Sequence, residues 1–171
     1  EEALFVKYID QRKKKESANN ASLHQISIGN KEIAQAFLLR TSDFSTAQQT
    51  RCALIVTSKT LYNLNAEDFR SYFLKNYYID SVFELAPVGT EVFQSANTPA
   101  VVLFYRCSFG SETNKNIVKH IVIKRNRLFS LFNIFALQRN DCKNVAQKKL
   151  RENDWLWKVL IWGSYLDFNF I

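Results

Sequence analysis

The sequence predicts an α/β fold built around a doubly wound sheet. Helix-like and strand-like segments alternate from Lys31 onward, and the strand-like segments are almost continuously apolar. Glycine and proline are scarce, at four and two in 171 residues. Such alternation is typical of mainly parallel sheets covered by helices. With 47% apolar residues, the chain can bury a core and suits one domain.

The first clearly patterned element is a helix that starts at Lys31. Four residues recur on neighbouring helical turns: Ile33, Ala36, Phe37 and Arg40. This spacing predicts an amphipathic helix that ends near Phe44. Before it, residues 1–16 predict a short helix ending in cations, and residues 17–30 predict a polar loop.

Two strands with a helix between them come next. Residues 52–57 are a continuous apolar run ending in Thr57, which predicts a strand buried on both faces. Asn65 is predicted to cap a helix with Glu67 and Asp68 in its first turn. Four aromatic residues then follow helical spacing: Phe69, Tyr72, Phe73 and Tyr77. Residues 79–86 predict the second strand.

The alternation breaks after the second strand. Residues 99–105 predict a third strand, but residues 87–98 have neither the length nor the periodicity of a crossover helix. Strands joined by so short a connection pair antiparallel. Beyond them, residues 116–124 and 128–137 predict a β-hairpin around the turn 125–127. A helical segment over 146–162 follows, with four residues expected to face inward: Leu150, Trp155, Leu156 and Val159.

Composition limits the partners and the cellular location that can be expected for this chain. The net charge of +7 and the pI near 9.4 favour an anionic partner. The three cysteines are far apart, form no CxxC pair and lie near no histidine, which argues against a zinc site or a disulfide framework. Reduced thiols in a cytoplasmic protein are therefore expected. No apolar run approaches the ~18 residues of a membrane span, so no membrane partner is expected.

Residues 51–106 carry a series of short sequence features in a fixed order. A strand ending in Thr-Ser is followed by LY, FRSYFL, IDSVFEL, VF and AVVLF. This order resembles the second half of the catalytic domain of N6-adenine-specific DNA methyltransferases. EIAQAFLLRTSDF resembles the helix after that family's catalytic tetrapeptide. NDWLWKVLIWGSYLDF resembles the segment before target recognition in large fused restriction-modification methylases, so the resemblance spans most of residues 31–168.

The resemblance implies a fold and a division of the chain. The fold is the second half of a Rossmann-like class I methyltransferase sheet, mixed and ending in an antiparallel strand, followed by a β-hairpin and a helix. Residues 1–30 are a poorly anchored helix and loop, and residues 31–110 are a partial catalytic domain. Residues 111–171 lead toward a target-recognition region.

The resemblance also implies an activity for a longer parent protein. The parent would transfer a methyl group from S-adenosylmethionine to adenine N6 in double-stranded DNA, in a bacterial restriction-modification or related anti-phage system. A restriction or specificity subunit or domain is an expected partner. The family's glycine-rich cofactor loop (DPACGSG-like) and NPPY-like tetrapeptide are both absent here, as is any methionine. The chain is therefore interpreted as an internal fragment with no catalytic residue, bound cofactor or metal of its own.

Phe93 is the candidate for stacking on the substrate base. An enzyme that modifies a base must extrude it, and the extruded base needs aromatic faces in place of its lost neighbours. Phe93 lies in a polar connection and matches the family's aromatic at the entrance to the last antiparallel strand. From the residues alone, it is a plug under a loop or a stacking platform, and both interpretations stay open.

Two further groups of residues are candidates for ligand contact. Thr57, Ser58 and Lys59 end the first strand, at the edge where open α/β sheets bind ligands, although an ordinary strand-to-helix turn explains them equally. Basic residues cluster near the predicted hairpin and after it: Lys115, Lys119, Lys124, Arg125, Arg127, Lys143, Lys148, Lys149 and Arg151. Lys124, Arg125 and Arg127 are the predicted DNA phosphate contacts. A solvated charged surface is the simpler alternative.

The three tryptophans lie at helical spacing near the end of the sequence. Trp155, Trp157 and Trp162 fit core packing better than a base-stacking surface.

The main rival function is a non-catalytic DNA-binding or assembly module that reuses this half-fold. A small-molecule or RNA methyltransferase is a third class. The residues upstream of this chain in the parent would discriminate all three.

Overall fold

The computed structural model describes residues 6–8, 10–11, 32–44, 50–93, 98–107, 112–132 and 134–169. The short pieces at 6–8 and 10–11 are helical, as predicted, whereas the predicted loop at 17–30 lies outside the described residues. Within the described ranges, no helix combines the length and apolarity needed to cross a membrane.

In the described part of the chain, five strands form one mixed sheet. They are β1 (Arg51–Thr57), β2 (Tyr77–Glu84), β3 (Ala100–Cys107), β4 (Ile117–Val122) and β5 (Cys142–Ala146). Their spatial order is β1-β3-β2-β4-β5. β3 pairs antiparallel with both β1 and β2, β2 pairs parallel with β4, and β4 pairs antiparallel with β5. The predicted mixed sheet, in which the third strand opposes the two before it, is confirmed.

The helices are short and lie mostly between strands. They are α1 (Ile33–Arg40), α2 (Lys59–Tyr62), α3 (Glu67–Asn76), α4 (Gly89–Val92), α5 (Glu112–Lys115), α6 (Arg127–Phe132), α7 (Gln147–Glu152), α8 (Leu156–Trp162) and α9 (Tyr165–Asn169). α4 and the 3-10 turn Ala86–Val88 occupy the connection from β2 to β3. Together they are too short to cross the sheet, which is why β3 returns antiparallel.

One face of the sheet and the helices α1, α3, α7 and α8 enclose the core. Alternate residues of the strands point to this face, and the helices contribute their apolar sides. Phe73 of α3 stacks on Tyr77 at 4.7 Å and meets the edge of Tyr105 at 5.2 Å. Trp157 of α8 is 1% exposed. Burying large apolar side chains of this kind contributes about 1.5–3 kcal/mol each, so this face anchors the fold.

The opposite face is open along β1, which corrects two predictions. β1 is not buried on both faces, because its outward residue Ile55 is 60% exposed. Among the described residues, β1 is also an edge strand. α1 forms as predicted but presents Leu38 and Leu39 to the core. Ile33 and Phe37, expected on its apolar face, are 52% and 59% exposed. Periodicity located both elements but not the side that each buries.

The start and end of α3 also differ from the prediction. Asn65 is not the cap, because it lies within the 3-10 turn Leu64–Ala66 and Ala66 precedes the helix without a side-chain cap. Tyr77 does not continue the helical pattern but begins β2. It still reaches the core, since α3 leads directly into the strand and both elements bury the same side.

The predicted hairpin is wrong in its second strand. Residues 128–132 belong to α6, residues 134–137 have no regular structure, and the antiparallel partner of β4 is β5. Apolar residues in that stretch, including Leu131 at 72% exposure, are not part of the sheet.

The two predicted regions, 31–110 and 111–171, contribute strands to the same sheet, because β4 and β5 extend it. The division between those ranges in the parent stays a prediction.

The last helical segment divides into α7 and α8, separated by residues 153–155. Leu150 and Leu156 are buried as predicted, and Val159 is half-buried. Trp155 was expected inside but is 52% exposed, while Trp157 takes the core position. The break between the helices rotates the buried face by about two residues, which a continuous helical pattern could not anticipate.

Candidate functional site at the carboxyl edge of the sheet

The carboxyl ends of β1, β2 and β4 lie along one edge of the sheet. These strands run in the same direction because β3 opposes both β1 and β2, while β4 is parallel to β2. Several predicted site residues lie at or shortly after these ends. Ser58 and Lys59 follow β1, and Lys124 follows β4. This is the edge at which open α/β sheets bind ligands.

Phe93 lies on the wall of a cavity at this edge. Its side chain is half-buried, and the open cavity has a volume of about 460 Å³. The lining is mostly apolar and comes from α1, β1 and the start of β3: Ala34, Phe37, Leu54, Ile55, Val56, Thr57, Thr98, Pro99 and Ala100. The structure thus brings together two predicted site residues, Thr57 and Phe93.

Phe93 is presented by a short turn. Its amide donates to the Gly89 carbonyl at 2.8 Å, closing the single turn of α4. Val88 beneath this turn is fully buried, which fixes the point where the turn leaves the core. A platform for a substrate must be partly exposed, and Phe93 meets that requirement. Its role in stacking stays a prediction.

Ser58 and Lys59 differ from Thr57 in their surroundings. Ser58 is fully buried, and its hydroxyl donates to Glu84 Oε1 at 2.6 Å. This hydrogen bond joins the ends of β1 and β2 and turns Ser58 away from the cavity. Lys59 is exposed, and its amide donates to Thr57 Oγ1 at 3.3 Å. Of the three residues, Thr57 alone lines the cavity.

Glu84 is a buried acid that sequence reasoning missed. Its Oε1 accepts from Ser58 and from the Ala86 amide, at 2.9 Å, whereas Oε2 has no hydrogen-bond partner among the described residues. Burial raises the pKa of Glu84 to about 7, against the lowering effect of its hydrogen bonds. Burial and the neighbouring Glu84 also raise the pKa of Tyr62. A carboxylate at the end of a largely apolar strand was the available signal.

The three predicted phosphate contacts lie together, but two of them already have acidic partners. Lys124 Nζ is 2.8 Å from Asp141 Oδ1, and Asp141 is only 4% exposed. Arg125 Nε is 2.6 Å from Glu91 Oε1. Arg127, the first residue of α6, is exposed and forms no ion pair with the described part of the chain. It is the cation of the three with the greatest freedom to meet a phosphate.

Among the other basic candidates, Lys143 has a structural role. Lys143 is buried, and its Nζ donates to the carbonyls of Leu160 and Gly163, at 3.1 and 3.3 Å, at the end of α8. Burial lowers its pKa, and Lys124 lowers it further. Its register partner His120 is also buried, and burial followed by repulsion from Lys143 lowers the pKa of His120 to about 3. Neither side chain is available to DNA.

The described residues contain no group of three or more His, Cys, Asp or Glu side chains placed to hold a metal ion. Cys52, Cys107 and Cys142 form no disulfide with one another, and each is partly buried. The carboxyl edge thus combines three features. They are an apolar cavity with Phe93 on its wall, the buried acid Glu84, and the cations Lys124, Arg125 and Arg127.

Comparisons with known proteins identify the fold. No protein-family profile matches the chain, and no curated protein matches its sequence. A solved structure from a study of complex assembly and conformational transition in the type I restriction-modification system matches with a TM-score of 0.55 and 11% identity. The methyltransferase subunit of a type I restriction-modification system from Streptococcus thermophilus matches with a TM-score of 0.50 and 15% identity. The fold is that of part of a methyltransferase subunit.

Each match covers only part of the solved structure. They cover 78% and 73% of this chain but 33% and 29% of the two solved chains. This chain thus spans about a third of the length of the structures that it matches. At these identities the likeness concerns the fold, and it confirms the predicted relation to restriction-modification methyltransferases at that level.

Proposed function

We propose that this chain is part of an S-adenosylmethionine-dependent enzyme that methylates adenine N6 in DNA, within a restriction-modification or related anti-phage system. The topology of the sheet carries the proposal, because β3 lies antiparallel between β1 and β2 and brings Thr57 and Phe93 to one cavity. The partial match to a type I methyltransferase subunit supports it. Duplex DNA and a restriction or specificity subunit are the proposed partners, and the cytoplasm is the proposed location.

The chain alone is proposed to be inactive. Neither the glycine-rich cofactor loop nor the NPPY-like tetrapeptide occurs in its 171 residues. The two described glycines lie apart, Gly89 in α4 and Gly163 after α8, so they form no backbone cradle for the methyl donor. The described residues therefore do not fit S-adenosylmethionine, and no step at the cofactor is derived from them.

The open edge at β1 supports an incomplete sheet. Among the described residues, β1 pairs on one side only, and the apolar Ile55 and Phe37 beside its free edge are 60% and 59% exposed. Unpaired strand edges with apolar surroundings favour the addition of another strand. We infer that the rest of the parent's sheet pairs with β1 and closes the cavity around Phe93.

The role assigned to this chain is capture of the extruded adenine. Phe93 supplies one aromatic face, and the apolar walls from α1 and β1 exclude water from the other parts of the base. Stacking on one aromatic side chain is worth roughly 1–3 kcal/mol per base, so Phe93 would contribute substantially to base capture. Thr57 adds a polar group to the same cavity, within reach of a bound ligand.

The test is methyl transfer by the full-length parent from labelled S-adenosylmethionine to duplex DNA. Phe93→Ala should weaken capture of the flipped base by about tenfold to a hundredfold, with unchanged cofactor affinity. Phe93→Tyr and Phe93→Trp should retain activity because a flat ring remains. Phe37→Ala, which removes another ring from the same cavity, is the matched control and should have a smaller effect. Label recovered only in RNA or a small molecule would contradict the proposal.

A non-catalytic assembly module is the second candidate function. The exposed apolar residues along the free edge of β1 favour it, because they suit binding to another protein as well as to the parent's own sheet. Calorimetric titration of the parent with S-adenosylmethionine separates the two functions. Tight stoichiometric binding supports the enzyme, whereas DNA binding without cofactor binding supports the module.

A further inference from the structure

We propose that Arg125 is a positioning residue. It holds the turn that carries Phe93 until a DNA phosphate replaces Glu91 as the partner of its guanidinium. The proposal rests on the function proposed above for Phe93. It assigns to Arg125 a role in coupling the DNA backbone to the base platform, instead of the plain phosphate contact predicted from the sequence.

The contacts of Arg125 converge on α4. Its Nε lies 2.6 Å from Glu91 Oε1, and its Nη2 donates to Thr90 Oγ1 at 2.8 Å. These two residues belong to the turn that is closed by the hydrogen bond from the Phe93 amide to the Gly89 carbonyl. Arg125 comes from the segment after β4, 35 residues away in sequence. One side chain thus links two separate segments at the carboxyl edge.

α4 needs such support. A single helical turn is unstable in isolation, because fixing its residues costs more than one closing hydrogen bond returns. The buried Val88, directly before α4, fixes the start of this turn to the core. On the far side the chain passes through Phe93 to residues 94–97, which lie outside the described residues. The Arg125 contacts therefore stabilise the solvent side of the turn.

The ion pair can be exchanged for a phosphate. The side chain of Arg125 is 64% exposed and that of Glu91 is 24% exposed, so a ligand can reach the guanidinium. The same planar fork recognises carboxylate and phosphate. An exposed ion pair contributes little stability and is screened by salt, so a DNA phosphate can compete with Glu91.

The neighbouring cations place a phosphate near Arg125. Lys124 remains tied to the buried Asp141, and Arg127 lies exposed two residues beyond Arg125. A strand of DNA that contacts Arg127 therefore passes close to Arg125. Release of Glu91 then frees the Phe93 turn, so that the aromatic ring adjusts only when the backbone is bound.

Amide exchange in the 171-residue chain tests the positioning role without DNA. In Arg125→Ala, the Phe93 amide should exchange about two- to fivefold faster, the range expected for loss of an exposed ion pair. Arg127→Ala is the matched control and should leave the rate unchanged. The double variant with Arg125→Glu and Glu91→Arg should restore most of the protection. Equal rates in wild type and Arg125→Ala would overturn the proposal.

DNA binding tests the exchange with phosphate. Glu91→Gln frees the guanidinium and should tighten binding to a short duplex about two- to fivefold, while Arg125→Ala should weaken it and lower the salt slope by about one. Binding by Glu91→Gln that equals wild type would overturn the exchange. Absence of DNA binding in every variant would overturn the exchange and the proposed DNA contact together, and the amide rates would still decide the positioning role.

Discussion

The helix-covered face of the sheet and its carboxyl edge use polar side chains in opposite ways. On the covered face, Gln147 is 1% exposed and makes four side-chain hydrogen bonds. Arg70 is 2% exposed, pairs with Asp154 and donates to the carbonyls of Thr60 and Asn63. These groups are buried and hydrogen-bonded, as structural polar groups are.

At the carboxyl edge the pattern is reversed. Glu84 is buried with one oxygen unpartnered among the described residues, Phe93 is half-buried, and the largely exposed Arg125 pairs with Glu91. Such features cost stability or add little to it. Regions that bind or react are drawn from such less stable parts of a fold, which agrees with the candidate site. Buried polar atoms without a partner among the described residues also occur on the covered face, at Trp157 Nε1 and Thr60 Oγ1, so they do not locate the site by themselves.

The largest expected effect is on the covered face, at Gln147. Gln147→Leu keeps a similar side-chain shape but removes a hydrogen-bond partner from buried groups of Leu74, Tyr77, Ile79 and Asn116, of which the Asn116 amide keeps its bond to the Ile79 carbonyl. Each group left unsatisfied costs about 1–3 kcal/mol, so the free energy of unfolding should fall by about 3 kcal/mol or more in urea denaturation. Lys148→Leu, at the exposed next position, should change it by less than about 0.5 kcal/mol. A small loss for Gln147→Leu would contradict the assigned network.

The next effect is a pH dependence at the carboxyl edge. The pKa of Glu84 rises from 4.5 to about 7 on folding, so its contribution is most favourable below pH ~4.5 and is lost as the pH rises toward ~7. Relative to Glu84→Gln, the wild type should lose roughly 2–3 kcal/mol of unfolding free energy between pH ~5 and ~8. The comparison is needed because His120, with its lowered pKa, acts in the opposite direction. Parallel pH profiles would show that Glu84 is ionised without penalty.

A smaller effect is expected at Phe93. Because its ring is half-buried, Phe93→Ala should cost roughly 1 kcal/mol in the isolated chain, against about 3–5 kcal/mol for the buried Phe73→Ala. Thermal and urea unfolding of the two variants measure the difference directly. If the two losses are equal, Phe93 is a structural plug and the platform hypothesis fails.

The smallest effect is expected at the free edge of β1. Ile55→Lys should change the free energy of unfolding by less than about 0.5 kcal/mol, since Ile55 is 60% exposed. Val56→Lys, one position along the strand, places a cation in the core and should prevent stable folding. Strong destabilisation by Ile55→Lys would show that another part of this chain covers the outer face of β1.

The sequence by itself determined the kinds of element and their order. Continuous apolar runs located β1, β2 and β3, and the short connection over residues 87–98 predicted the antiparallel return, because no crossover fits that length. These are local properties, fixed by composition and spacing over a few residues. The roles assigned to Thr57, Phe93 and the basic residues near Arg125 came from chain position and from the family resemblance, and they stay predictions.

Only the tertiary structure decided which surfaces those elements bury and which side chains meet. Trp157 replaces Trp155 in the core because the break between α7 and α8 changes the buried side. Ser58 meets Glu84 across 26 residues and Arg125 meets Thr90 across 35, so no local pattern records either pair. Long-range contacts depend on strand order, and here β5, not residues 128–137, pairs with β4. Pairing partners are chosen by the whole sheet, which is why they could not be read from any one segment.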